Sequence, residues 1–240
     1  MSGMTERGVA LVTGVASGLG EALCGRLHEA GFKVAGLARS ERIKQTLEQR
    51  LTSSGGHYHH HCLDVADTEA MNRAVAAIEA DLGPIDVLIH NAHQLLIKPF
   101  HETKPEEFEA VWRTGCFGAM IAAHAVVPGM AARGRGTVIF TGATAAIRGS
   151  GRFSAFASAK FALRGLAQSL AREYGANGVH VVHSILDGLI WEQQTRDRFD
   201  PKQEACLDPE AIASAYLHMI DQDPSAWTHE LDLRPSTEAF

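Results

Sequence analysis

A chain of 240 residues, 45% of them apolar, suits a single α/β domain with a large core. Its formal net charge of -6, with both signs interspersed, excludes the basic footprint expected of a nucleic-acid or anionic-membrane binder. The apolar run 119–127 is interrupted by His124 and meets Pro128, far short of a membrane span, and the first seven residues lack an apolar signal region. Cys24, Cys62, Cys116 and Cys206 show no paired spacing, so the expectation is a cytoplasmic protein with reduced thiols.

Strand and helix signals alternate from the start. An apolar strand at 9–12 runs into a glycine-rich turn and an amphipathic helix at 19–30, then a strand at 33–37 and a helix at 41–51. Next come a strand at 59–63, a helix over Thr68–Leu82, a strand at 85–89 and a long helix at 106–130. The rest reads as a strand at 137–140, a helix over Ser154–Tyr174, a strand at 179–185, a helix over Pro209–Ile220 and a last strand, Glu230–Leu233. Asp208-Pro209 supplies an N-cap followed by proline at the first helical position, and Gly31 and Gly83 follow helices where a left-handed residue is favoured. This alternation predicts one domain over 1–240, a doubly wound parallel sheet with helices on both faces. The stretch 187–207 is the least regular and is expected to form a lid. His57, His59 and His61 would share one side of the third strand. Without a supporting shell they read as polar edge residues, and no metal site is expected.

The turn Thr13-Gly14-Val15-Ala16-Ser17-Gly18-Leu19-Gly20 carries the strongest chemistry. Gly14 permits a sharp exit from the strand, Gly18 lets backbone approach a pyrophosphate, and Gly20 allows close helix–strand contact. Ser17 and Leu19 lie on the same cradle, and the helix directs its amino-terminal amides at the phosphates. A glycine-spaced turn alone can be purely structural. Here it follows a strand and opens a helix, the context dinucleotide binding requires. The second strand ends Ala38-Arg39-Ser40, with no acid for a ribose 2′-hydroxyl and an arginine suited to a 2′-phosphate. Arg39 could equally be an ordinary surface residue, but this charge logic favours NADP(H) over NAD(H).

The Thr-Gly-x-x-x-Gly-x-Gly spacing resembles the short-chain dehydrogenase/reductase family, over nearly the whole chain. Asp64-Val65 resembles the family's adenine-contacting pair, Asn91-Ala92 its fourth-strand motif with His93 in place of the usual glycine, and Arg148-Gly149-Ser150 and Lys160 its later landmarks. The resemblance implies a Rossmann-like, seven-stranded sheet in the order 3-2-1-4-5-6-7, a nicotinamide cofactor and a small-molecule substrate. It also implies a homodimer or homotetramer built on helices 106–130 and Ser154–Tyr174, where Ala155, Ala159, Leu163, Leu166 and Leu170 form one stripe. Gly188 and Ile190 would complete the cofactor-binding set.

The family's catalytic tyrosine, serine and asparagine are missing. Matched to the family pattern, Phe156, Ala143 and Trp112 stand at those positions, and only the lysine, Lys160, is kept. Asp187 replaces a proline before Gly188, and Glu192 stands where a threonine is usual. Phenylalanine has no ionisable proton, and general acid–base assistance is typically worth roughly 10²–10⁴-fold. Tyr58, Tyr174 and Tyr216 lie elsewhere in the pattern. His93, at the carboxyl end of the fourth strand, is the remaining acid–base candidate, although it can also be read as filling space left by the glycine. Three functions stay open: an oxidoreductase with a variant mechanism, a catalytically silent nucleotide-binding sensor or scaffold, and a non-redox enzyme reusing the pocket.

Overall fold

The computed structural model describes residues 7–53 and 58–237. The strands in chain order are β1 (Val9–Thr13), β2 (Lys33–Ala38), β3 (Tyr58–Cys62), β4 (Ile85–His90), β5 (Gly136–Thr141), β6 (Val179–Leu186), β7 (Leu189–Ile190), β8 (Cys206–Leu207) and β9 (Glu230–Leu233). Seven of them form one parallel sheet in the order β3-β2-β1-β4-β5-β6-β9. This is the expected Rossmann-like topology. Its last strand is ninth in the chain because β7 and β8 pair apart as a two-stranded ribbon.

The helices are α1 (Leu19–Glu29), α2 (Lys44–Ser53), α3 (Thr68–Leu82), α4 (Pro105–Trp112), α5 (Gly118–Arg133), α6 (Ser154–Tyr174), α7 (Gln193–Phe199) and α8 (Pro209–Ile220). The central strands are apolar along their length because helices cover both faces. Side chains alternate accordingly: Leu11, Leu37 and Leu88 face the core under α3, α5 and α6, whereas Ala10, Val12 and Ile89 face the core under α1, α2 and α8. Crossovers run in opposite directions on the two sides of β1. The crevice between β1 and β4 therefore opens at their carboxyl ends, beside Thr13 and His90.

Three expectations change. The helix at 106–130 is continuous over Pro105–Arg133, with a π-turn at Arg113–Phe117 joining α4 to α5. By length and composition the whole helix is apolar enough to cross a bilayer, although the run 119–127 within it is short. Its place in the fold accounts for the apolarity, since it packs on α3, β4 and α6. The stretch 187–207 is not irregular, because it folds into β7, α7 and β8. In the α6 stripe, Ala155, Ala159 and Leu163 are fully buried, and Leu166 and Leu170 pack on the same core. That stripe covers the protein's own interior, and the exposed side of α6 carries Phe161.

His57 lies outside the described residues. Of its neighbours, His60 bonds the Tyr58 hydroxyl at 2.7 Å and His59 lies 3.9 Å from the Asp81 carboxylate. Among the described residues no three His, Cys, Asp or Glu side chains converge on a common point.

Candidate functional site

Backbone geometry builds the cofactor cradle. Gly14 leaves β1 at φ 74°, and its amide and that of Val15 both donate to Leu37 O, at 2.9 and 3.1 Å. A Cβ on Gly14 would come within 2.5 Å of Ala92 Cα, so β4 presses directly against the turn. Asn91 ties the same corner by donating from Nδ2 to Gly14 O at 3.1 Å. Gly20 is needed for close approach, since a Cβ there would lie 2.8 Å from Gly14 O. Gly18, at φ 97°, caps α1 with no side-chain cap, so the amino end of the helix faces the crevice with its dipole favouring negative charge. Ser17 is exposed on this turn and Leu19 is buried beneath it.

Toward the adenine end, Arg39 and Ser40 are exposed beyond β2, and Arg39 has no ion pair or hydrogen bond among the described residues. Asp64 is exposed and accepts from the Ala66 amide at 2.9 Å. Val65 is buried against the backbone of Gly118, where a Cβ would meet its Cγ2 at 2.7 Å. On the other side, Gly188 has φ 155° and packs beneath Pro235, and Ile190 belongs to β7. The glycine turn, free of side chains at Gly14, Gly18 and Gly20, fits a dinucleotide pyrophosphate by its own geometry.

Around Lys160 the site is poor in protons. The side chain is buried, and Nζ donates to Thr141 O at 2.6 Å and stands 5.6 Å from the centre of the Phe156 ring. Burial pulls its pKa down to about 7. The Phe156 ring also meets His93 edge-on, with centroids 6.2 Å apart. His93 is exposed to the crevice, and its Nδ1 lies 3.2 Å from Asn91 O. A carbonyl can only accept, so that bond puts the proton on Nδ1 and leaves Nε2 as an acceptor. Crowding by protein, and then the Lys160 charge, pushes the His93 pKa down to about 4. The imidazole is therefore neutral at pH 7.

His90 is fully buried at the end of β4, with Nδ1 3.0 Å from Thr13 Oγ1. Tyr216 is fully buried and donates to Thr141 Oγ1 at 3.1 Å, so its phenol belongs to the core.

Ala143 follows β5 in extended backbone and offers no hydroxyl. The neighbouring Thr144 hydroxyl is engaged by Asp187 at 2.5 Å. Asp187 is buried and lies 3.7 Å from Arg148 and 3.3 Å from Arg234, a charge cluster that the sequence pattern did not reveal.

Trp112, matched to the relay position of the family pattern, carries no amide. It is exposed and its ring stacks on Phe117, with centroids 6.1 Å apart. The buried residue of this turn that faces α6 is Gly115, where a Cβ would contact Ala159 Cβ at 3.3 Å, next to Lys160. The π-turn begins directly after Trp112, and neither tryptophan nor glycine provides a relay anchor.

Glu192 sits where sequence alone gives no hint. It lies against Gly18, where an added Cβ would collide with its side chain, and it accepts a hydrogen bond from the Leu19 amide.

The short chain dehydrogenase profile matches residues 8–197. The 3-oxoacyl-(acyl-carrier-protein) reductase of Vibrio cholerae is 30% identical over 234 residues, covering 94% of each chain. A short-chain dehydrogenase structure from Rhodopseudomonas palustris superposes with a TM-score of 0.84 at 31% identity, covering 95% of this chain and 99% of the other. A metagenomic short-chain oxidoreductase solved in complex with NADP reaches the same TM-score, 0.84, at 25% identity, covering 97% of this chain and 99% of the other. Motif, topology and these likenesses agree, and the chain belongs to the short-chain dehydrogenase/reductase family.

Proposed function

We propose that this protein binds NADP(H) in the crevice above β1 and β4 and holds it beside a diverged proton-transfer centre. Arg39 and Ser40 would receive the 2′-phosphate, Asp64 and Val65 the adenine, and the Gly14–Gly20 turn the pyrophosphate. Asn91, Ala92, Gly188 and Ile190 would line the remaining path to Lys160. The NADP-bound relative supports this cofactor choice, as does the alanine at position 38. A bound nicotinamide supplies hydride exchange with a carbonyl, an alcohol or an activated double bond. Lys160 would hold the nicotinamide ribose, and His93 Nε2, neutral at pH 7, would accept the proton of a substrate hydroxyl.

The observation that carries this reading is the Phe156 ring, which lies between Lys160 and His93 in place of a phenol. Alcohol and ketone substrates common in the family should therefore turn over very slowly. The same observation favours a second reading, a silent nucleotide-binding sensor or scaffold that keeps Lys160 only to hold the cofactor. Calorimetry with NADPH and NADH, followed by a carbonyl panel with the parent and His93→Gln, tests both. Equal affinities would sink the NADP assignment. Activity lost in His93→Gln favours the enzyme, and NADPH binding without turnover favours the sensor.

The proposal extends to a cytoplasmic homo-oligomer, a dimer or tetramer meeting across the exposed flank of α4 and α6 that carries Trp112 and Phe161. A sedimentation mass equal to one 25.8 kDa chain at micromolar concentration would reject the assembly.

A further inference from the structure

We propose that the Glu192 carboxylate is a built-in competitor for the cofactor's pyrophosphate, a self-ligand that a dinucleotide must displace from the amino end of α1. The inference rests on the cofactor reading above and concerns how the same seat is filled before a dinucleotide arrives. The motivating contact is specific. Gly18 is the glycine whose missing side chain leaves room for phosphate oxygens, and the space a Cβ would take there is met by the Glu192 side chain, with its Cβ at 2.8 Å. The Leu19 amide, the first of α1, donates to the Glu192 carboxylate. A carboxylate offers this helix end what a phosphate does, negative charge and acceptor oxygens.

The position of Glu192 is set by backbone on both sides. Its own amide donates to Ile190 O at 2.9 Å, the Trp191 amide donates to Leu207 O at 2.8 Å, and Arg196 N donates to Glu192 O at 3.0 Å as α7 begins. The β7–β8 ribbon thus delivers the side chain to the glycine turn. Among the described residues no basic side chain pairs with Glu192, and the Leu19 amide is its polar partner. Burial raises the pKa of the acid, and the Leu19 bond opposes that shift. A pyrophosphate entering the seat would lose the same amide and face a like charge at contact distance, so the side chain must rotate out. A shorter residue such as threonine would not reach the amide. Glu192 thereby weakens every pyrophosphate-bearing ligand and leaves ligands confined to the adenine end untouched.

The test is calorimetry of NADP+ and of adenosine 2′-monophosphate, which lacks the pyrophosphate, against the parent, Glu192→Gln and Glu192→Thr. The glutamine keeps the shape and the acceptor oxygen but not the charge, and the threonine vacates the seat. We expect Glu192→Thr to bind NADP+ about tenfold or more tighter than the parent, with Glu192→Gln between them. Adenosine 2′-monophosphate should bind all three alike. Equal NADP+ affinity in the three chains would overturn the competition and leave the cofactor reading standing. If none of the chains binds either ligand, the cofactor reading falls and the inference falls with it.

Discussion

The two ends of the crevice have different histories written into their side chains. At the nucleotide end the seat is mainly backbone geometry, with Gly14 and Gly18 at positive φ, Gly20 in close contact with the turn, and the Asn91 side chain tying β4 to Gly14. At the nicotinamide end, the device would be side-chain chemistry, and there Phe156, Ala143 and Gly115 provide no exchangeable proton. The scaffold around the missing groups persists, since Lys160 is still buried and bonded to the end of β5. On the proposed reading, holding a cofactor and reacting it are separable properties. The first depends on main chain that few substitutions could imitate, the second on a few side-chain atoms that can vanish without disturbing the sheet.

The sharpest way to break the nucleotide end is Gly14→Val. Its φ of 74° and the 2.5 Å approach to Ala92 leave no room for a branched side chain. We expect NADPH binding to be abolished and stability to fall by about 2–4 kcal/mol, from left-handed strain added to a steric clash. Unchanged binding by calorimetry would show that the turn is not the seat.

A smaller effect, confined to the 2′-phosphate, is expected of Arg39→Ala. NADPH affinity should weaken by about 1.5–3 kcal/mol while NADH affinity hardly moves. Parallel losses for both cofactors would make Arg39 a general electrostatic contributor instead.

The buried histidines flanking the nicotinamide end give a pH signature. Burial, and then the Lys160 charge, pushes His90 down to about 3 and His183 down to about 4, against roughly 6.5 in an unfolded chain. Above that unfolded value both states are neutral. Below it the unfolded chain binds protons that the folded chain refuses, so stability present at pH 7 is lost as pH falls toward 4. Each histidine contributes a slope of up to about 1.4 kcal/mol per pH unit in that window. A melting temperature that stays flat from pH 7 to pH 4 would contradict the assignment of these residues as neutral and buried.

What could be read from sequence follows the same division. The turn from Thr13 to Gly20 is legible because its chemistry is local, each glycine answering to a neighbour a few residues away or to the next strand. Phe156 and Ala143 are legible through their spacing from Lys160 along regular structure. The π-turn at Arg113–Phe117 is not legible, because its residues sit within an otherwise continuous helix and carry no spacing of their own. The α6 stripe shows the limit of periodicity. Apolar spacing marks a buried face but does not distinguish the protein's own sheet from a partner. Glu192 is hidden for a tertiary reason, since its contact with Gly18 depends on the β7–β8 ribbon, whose two-residue strands leave no pattern. Asp187 is similar, because Arg234 reaches it from the far end of the chain.

The most direct measurement of the central claim, that this crevice retains its cofactor seat and has lost its proton donor, compares the parent with an Ala143→Ser, Phe156→Tyr double variant. Both are given saturating NADPH and the same carbonyl panel. We predict that the two chains bind NADPH with equal affinity. The parent should turn over very slowly, and the double variant should oxidise NADPH at least about 100-fold faster, the low end of what a positioned proton donor contributes. Robust parent turnover that matches the double variant and survives His93→Gln would contradict the account.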